Sequence, residues 1–140
     1  VKLFFDCSVL VPAFLTEHVH HAASNAAYQQ GRREDRSCGA QSVAEFYSTF
    51  TGFPSRFRLD GNEVLLMIGD ILEKLSIVTL AADEYVSTIH DAARDGVTGA
   101  TIYDALLARC AIKAQADVIY TWNLKHFQQF PEIRSRVRTP

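Results

Sequence analysis

Two kinds of apolar pattern take turns along the chain. The first is the unbroken block Leu3-Phe4-Phe5, which ends abruptly in Asp6. Such a block, bounded by a change of character, fits a strand buried on both faces, as in the middle of a parallel sheet. Residues 2–6 are therefore read as the first strand, and 76–80 and 117–121 as two more. Residues 37–40 are a weaker candidate, carried mainly by their place in the pattern, and 134–138 form a fifth strand at an edge.

The second pattern is helical. Apolar spacing and stop signals predict helices over residues 8–15 and 17–30, the latter stopped by Gly31. Residues 32–36 read as a charged turn. Ser42 with Glu45 has capping-box spacing and opens a helix that Gly52 and Pro54 close. Asp60 with Glu63 opens a second, through Lys74. Asp83 caps a third, to Arg94, and Asp95-Gly96 and Gly99 punctuate the chain after it. Residues 101–115 form a long helix, and 123–130 a short one ended by Pro131. Alternating strands and helices predict an α/β fold. The expected form is a three-layer, doubly wound domain with a mainly parallel five-stranded sheet, spanning residues 1–140 as one unit.

Composition narrows the chemistry. Apolar residues make up 48%, which is ordinary for a globular chain, and a net charge of −2 offers no basic field for coating nucleic acid. An enzyme that grips phosphates locally is still compatible with that charge. Cys7, Cys38 and Cys110 are odd in number and form no CxxC pair, which argues against zinc and against a disulfide framework. A reducing cytoplasm is the expected location. No apolar run approaches the roughly 20 residues that span a bilayer, so no membrane role is expected. The first residues lack a basic segment and a cleavage site, so no signal peptide is expected.

Three acids stand among apolar neighbours. Asp6 ends the first strand, Glu45 follows Val43-Ala44, and Asp104 sits in Ile102-Tyr103-Asp104-Ala105-Leu106. Asn123 follows the 117–121 strand closely. Each has a local explanation as a helix cap, a capping-box partner or a complement to a helix dipole. Taken together they point elsewhere. Strand ends and helix N-termini converge on one rim of a doubly wound sheet. Carboxylates meeting there repel one another unless a cation intervenes. An all-oxygen set suits Mg²⁺, or Mn²⁺, and metal-assisted phosphodiester hydrolysis.

Four stretches, in order, carry a family resemblance: Phe5-Asp6-Cys7-Ser8-Val9-Leu10, Ser42-Val43-Ala44-Glu45-Phe46, Tyr103-Asp104-Ala105-Leu106-Leu107-Ala108 and Thr121-Trp122-Asn123-Leu124-Lys125-His126-Phe127. With these the chain resembles the PIN domains, most of all the VapC-type toxins of bacterial toxin–antitoxin pairs. The resemblance implies Mg²⁺-dependent cleavage of single-stranded RNA. It implies Asp6 and Asp104 as the principal metal ligands, with Glu45 completing the acidic pocket by binding metal or positioning the water. Asn123 falls where many PIN domains carry a fourth Asp; it removes one negative charge and puts a stable second metal in doubt. Ser8 and Thr121 are implied as hydroxyls that hold the acids in place. A small antitoxin protein and a second copy of the chain are the implied partners.

Arg56, Arg58 and Lys125 are candidates for RNA phosphates, with solvated surface charge as the alternative. Phe46, Tyr47, Phe50, Phe53 and Phe57 are read as core and partner groove. His18, His20 and His21 are read as surface residues, with His18 and His21 on one helical face. Cys7 is read as core, on the strand face opposite Asp6. Receiver-like and dehalogenase-type phosphatase readings are disfavoured, because Cys7 and Ser8 stand where those folds want acids and the 76–80 strand ends without one. The remaining alternatives are a PIN-like binding module with a weakened or vestigial metal site, and an RNA-processing nuclease without a toxin role.

Overall fold

Strand β1 (Leu3–Phe5) carries Phe4 and Phe5 on opposite faces, and both are fully buried. Side chains alternate across a strand, so this one segment feeds two cores. Phe5 packs with Val9, Leu10, Tyr28, Phe46, Phe50 and Ile71. Phe4 packs with Leu107, Ala111, Ile119, Phe127 and Ile133 on the other side. The computed structural model describes every residue from Val1 to Pro140.

After β1 come helices α1 (Cys7–Phe14) and α2 (His21–Gln29), strand β2 (Arg36–Gly39), and helices α3 (Ala40–Gly52) and α4 (Gly61–Lys74). Strand β3 (Ser76–Val78), helices α5 (Ala82–Arg94) and α6 (Thr101–Lys113), strand β4 (Val118–Tyr120), helix α7 (Leu124–Gln128) and strand β5 (Val137–Arg138) follow. The sheet runs β3-β2-β1-β4-β5, and every pairing is parallel. The expected α/β architecture is the observed one.

The chain lays β2 and then β3 on one side of β1, and returns to place β4 and β5 on the other. The seam between β1 and β4 is therefore a topological switch point, where open sheets hold their ligands. Phe5 pairs with Tyr120, and the Asp6 N–H continues the ladder to the Tyr120 carbonyl at 3.0 Å. This register sets Asp6 and Thr121 side by side at the carboxyl end of the sheet.

Several local expectations need correction. Helix α2 starts at His21; before it the chain turns, with His18 N–H bonded to the Leu15 carbonyl and His21 N–H to the His18 carbonyl. His18 and His21 therefore share no helical face. Arg36 belongs to β2 and is only 3% exposed. Its guanidinium donates to the carbonyls of Tyr28 and Gln30, and to that of Lys74 at 3.0 Å. It thereby satisfies carbonyls at the ends of α2 and α4, which explains an arginine inside.

Helix α3 is capped by Gly39, so Ser42 lies within the helix, buried, with its Oγ unpartnered. The Ser42–Glu45 capping box does not form. Helix α5 is capped at Ala81, whose N–H donates to Glu84 Oε1 at 2.8 Å, and Asp83 merely sits in its first turn. The Asp60–Glu63 box forms as expected. No helix is long and apolar enough to cross a membrane.

Candidate active site

Asp6 is both the N-cap of α1 and a buried acid, 5% exposed. Its Oδ2 accepts from Ser8 Oγ at 2.7 Å and Thr121 Oγ1 at 2.9 Å, with the Ser8 N–H at 3.4 Å. The cap reading and the site reading thus coexist. Each hydroxyl is oriented from behind: Ser8 Oγ accepts the Trp122 N–H at 2.9 Å, and Thr121 Oγ1 accepts the Asn123 N–H at 3.0 Å. Every protein donor goes to Oδ2, which leaves Oδ1 without a protein donor.

Glu45 stands on α3 and Asp104 in the first turn of α6, both half-buried. Both face the same cavity as Asp6, which has a volume of about 710 Å³. Burial pushes the Glu45 carboxyl up from its ordinary value; the bond from Gln41 opposes this, and the charges of Asp6 and Asp104 add to it. Burial likewise raises Asp104, with His126 opposing and Asp6 adding. The acids from three separate elements therefore feel one another. Asn123 is exposed, lines the same cavity, and is the N-cap residue of α7, although its side chain makes no capping bond. Thr121 lies fully buried beneath it.

The three carboxylates share a cavity but not a point. Gln41 Nε2 donates to Glu45 Oε1 at 2.7 Å, and His126 Nδ1 lies 3.8 Å from Asp104 Oδ2. No group of three or more His, Cys, Asp or Glu side chains is placed to hold a metal ion. The donor chemistry fits a hard divalent cation, since all three acids offer oxygen. Their spacing does not yet close around one.

Two readings of neighbouring residues change. His18, His20 and His126 line the cavity, so the first two are not simply surface residues. Cys7 opens α1 and also touches the cavity; its thiol is core, and burial and the nearby acids raise it strongly, so it is no nucleophile. Arg56, Arg58 and Lys125 are exposed and none lines the cavity. Arg56 covers the Phe57 ring, and Arg58 Nε donates to the Phe53 carbonyl at 2.9 Å. Sequence reasoning passed over Gln41 and His126. Both had a usable signal: Gln41 is four before Glu45, one helical turn, and His126 is three after Asn123.

No protein-family model matches the chain. Among curated proteins, ribonuclease VapC27 of Mycobacterium tuberculosis is 28% identical over 116 residues, 83% of this chain and 81% of that protein. Among solved structures, the M. tuberculosis toxin VapC20, described as cleaving the sarcin–ricin loop, superposes with a TM-score of 0.66 at 13% identity, covering 87% of this chain and 90% of that one. VapBC2 of Rickettsia felis, bound to promoter DNA, gives 0.67 at 14% identity, over 100% and 99% of the two chains. VapBC-1 of nontypeable Haemophilus influenzae gives 0.67 at 13% identity, over 99% and 98%. The chain therefore shares the fold of these VapC structures over nearly its whole length, and in sequence it is similar to ribonuclease VapC27.

Proposed function

We propose that this chain is a ribonuclease of a toxin–antitoxin pair, whose acidic cavity would cleave single-stranded RNA with a divalent cation, Mg²⁺ or Mn²⁺, held by its carboxylates. The observation that carries the reading is the meeting of Asp6, Glu45 and Asp104, from three elements, in one cavity at the switch point. The VapC proteins to which the chain is similar support the substrate class and an antitoxin partner. A homodimer and a reducing cytoplasm, in keeping with three free buried cysteines, complete the proposal.

In this reading Asp6 and Asp104 hold the cation and Glu45 completes the pocket. Asn123 adds a neutral oxygen or a donor at the rim. Such an ion supplies a lowered pKa to bound water and neutralises charge developing on the phosphate. Ser8 and Thr121 fix Asp6 through Oδ2, which leaves Oδ1 free for the ion. Glu45, whose pKa is raised by burial, is suited to take a proton from water. Arg56, Arg58 and Lys125 lie beyond the cavity and would act only on RNA that extends past it.

The second reading is a PIN-like binding module with a weakened metal site, or a nuclease of RNA processing rather than a toxin. The absence of a closed ligand cluster favours the first of these. A divalent-cation titration of RNA cleavage separates them. Cleavage that needs Mg²⁺ or Mn²⁺ and is lost in Asp6→Asn and Asp104→Asn, with the fold intact, supports the nuclease. RNA binding without cleavage at any cation concentration supports the binding module. Growth arrest on expression, relieved by a small protein encoded beside it, separates toxin from processing enzyme.

A further inference from the structure

The imidazole of His20 lies flat on the indole of Trp122, with centroids 3.6 Å apart and planes 8° from parallel. Both rings are half-buried and line the acidic cavity. Trp122 is held from two sides. Its Nε1–H donates at 2.9 Å to Ser24 Oγ, itself fully buried, and its backbone N–H donates to Ser8 Oγ, the hydroxyl that binds Asp6. The His18 ring borders the pair, 5.6 Å from His20, and its Nδ1 accepts the His20 backbone N–H at 3.0 Å. That bond makes His18 Nε2 the protonated nitrogen of the neutral ring. The stack is thus preorganised, and it is tied to the acids through a single serine.

Charge says what such a surface is for. Three carboxylates face the cavity, and no Lys or Arg lines it. A polyanionic strand entering the ion-free cavity meets repulsion at its phosphates, so any attraction beyond that of a bound cation comes from its uncharged part. Flat aromatic faces supply this for single strands, because every base has a π-face. We propose that the His20–Trp122 pair is a stacking platform for one nucleobase of a single-stranded RNA, seating the adjoining phosphodiester at Asp6 and Asp104. The proposal rests on the ribonuclease reading for its substrate class. It makes His20 a positioning residue, not a catalytic one.

Trp122 is the single tryptophan of the chain, so its fluorescence reports on the platform directly. The full chain, with Ca²⁺ present and oligomer integrity checked, is titrated with hexaadenylate, hexauridylate and an abasic ribose-phosphate hexamer. Emission and anisotropy are read together. The expected result is saturable quenching by both base-bearing oligomers, stronger for adenylate, and none by the abasic one. His20→Ala lowers affinity about fivefold to a hundredfold, in the range of one lost stacking contact, and His20→Phe restores it. A purely structural His20 would not give that restoration together with base-dependent quenching.

Equal binding of the abasic hexamer overturns the platform, as does unchanged affinity in His20→Ala. Binding seen by anisotropy without any change in Trp122 emission, or no binding of any oligomer, overturns it too. Cleavage is scored separately in Mg²⁺. Base-dependent quenching with no cleavage leaves the platform standing and removes the ribonuclease. Cleavage with base-independent binding does the reverse.

Discussion

Thr121 reaches Asp6 across the seam between the two halves of the sheet: its hydroxyl oxygen lies 2.9 Å from Asp6 Oδ2. The two residues are 115 positions apart in sequence, yet the β1–β4 register leaves them no other placement. The contact joins fold to site. The same strand pairing that builds the sheet fixes the orientation of the deepest acid, and the Asn123 N–H behind the hydroxyl points its proton forward.

Thr121→Val keeps the shape of the side chain and deletes that donor. It leaves the buried Asp6 carboxylate with Ser8 alone and strands the Asn123 N–H. Lost partners of buried polar groups cost about 1–3 kcal/mol, so urea denaturation should show a loss of that order. Divalent affinity should fall about tenfold to a hundredfold, the usual cost of removing the group that orients a ligand. Isothermal titration with Mn²⁺ measures it. Thr121→Ser, which keeps the hydroxyl, should recover most of both.

The raised carboxyls predict a dependence on pH. Glu45 and Asp104 have folded-state pKa values above their ordinary 4.5 and 3.8, with burial the largest cause in each. On rising pH the unfolded chain loses these protons first, so the folded state binds more of them and stability falls with pH across that window. The fall begins near the ordinary values and is complete above the raised ones. Other carboxylates titrate over the same range, so the informative quantity is the difference between Asp104→Asn and the wild type. In EDTA the variant's gain in Tm should grow as pH rises above about 4, the ordinary aspartate value. Saturating Mg²⁺ should reverse the order, because the wild type then gains a ligand that the variant holds less well.

The three layers and the parallel sheet were readable because β1, β3 and β4 carry strong apolar blocks between capped helices. The convergence of Asp6, Glu45 and Asp104 was readable for a related reason: strand ends and helix N-termini meet at one rim whatever the side chains in between. The failures came where side chains override local signals. Ser42 and Glu45 have the spacing of a capping box, but Gly39 and Ala40 begin the helix early and draw both residues inside it. Arg36 ends a charged run, yet two helix ends present it with carbonyls and it is buried. His20 and Trp122 are 102 positions apart, and no local pattern records that a turn between α1 and α2 lays one ring on the other.

Gly39 makes a further prediction, about how tightly the rim is packed. A Cβ there would lie 2.8 Å from Leu107 Cδ2, with Cys110 Sγ and Phe4 Cζ each at 3.8 Å. Leu107 is buried on α6, one turn beyond Asp104, so it cannot swing out to solvent. Gly39→Ala should therefore cost about 1–3 kcal/mol as an overpacked site and shift Asp104 relative to Asp6. Thermal denaturation checks the first effect and divalent affinity the second. Leu107→Ala alone leaves a cavity and destabilises; combined with Gly39→Ala it should recover part of the loss. Additive losses would mean that the two side chains do not meet.

Gln41 decides whether the site is held open or is simply incomplete. Its Nε2 donates to Glu45 Oε1 at 2.7 Å, and both residues stand on α3, one turn apart. The bond favours the charged form of Glu45 and at the same time ties its side chain to its own helix. Gln41→Ala removes both effects. The Glu45 carboxyl, already raised by burial, should rise further in the metal-free protein, since a bond to its charged form is lost. The freed side chain can then turn toward the other two acids. Releasing a net contribution of about 0.5–1.5 kcal/mol should tighten Mn²⁺ binding about twofold to tenfold, measured by titration calorimetry. Gln41→Glu should tighten it as well, by adding a fourth carboxylate near the cavity. Weaker binding in Gln41→Ala would mean that Gln41 presents Glu45 to the cation rather than restraining it. Unchanged binding would mean that Glu45 is not a ligand, which leaves Asp6 and Asp104 as the only acids to hold the ion.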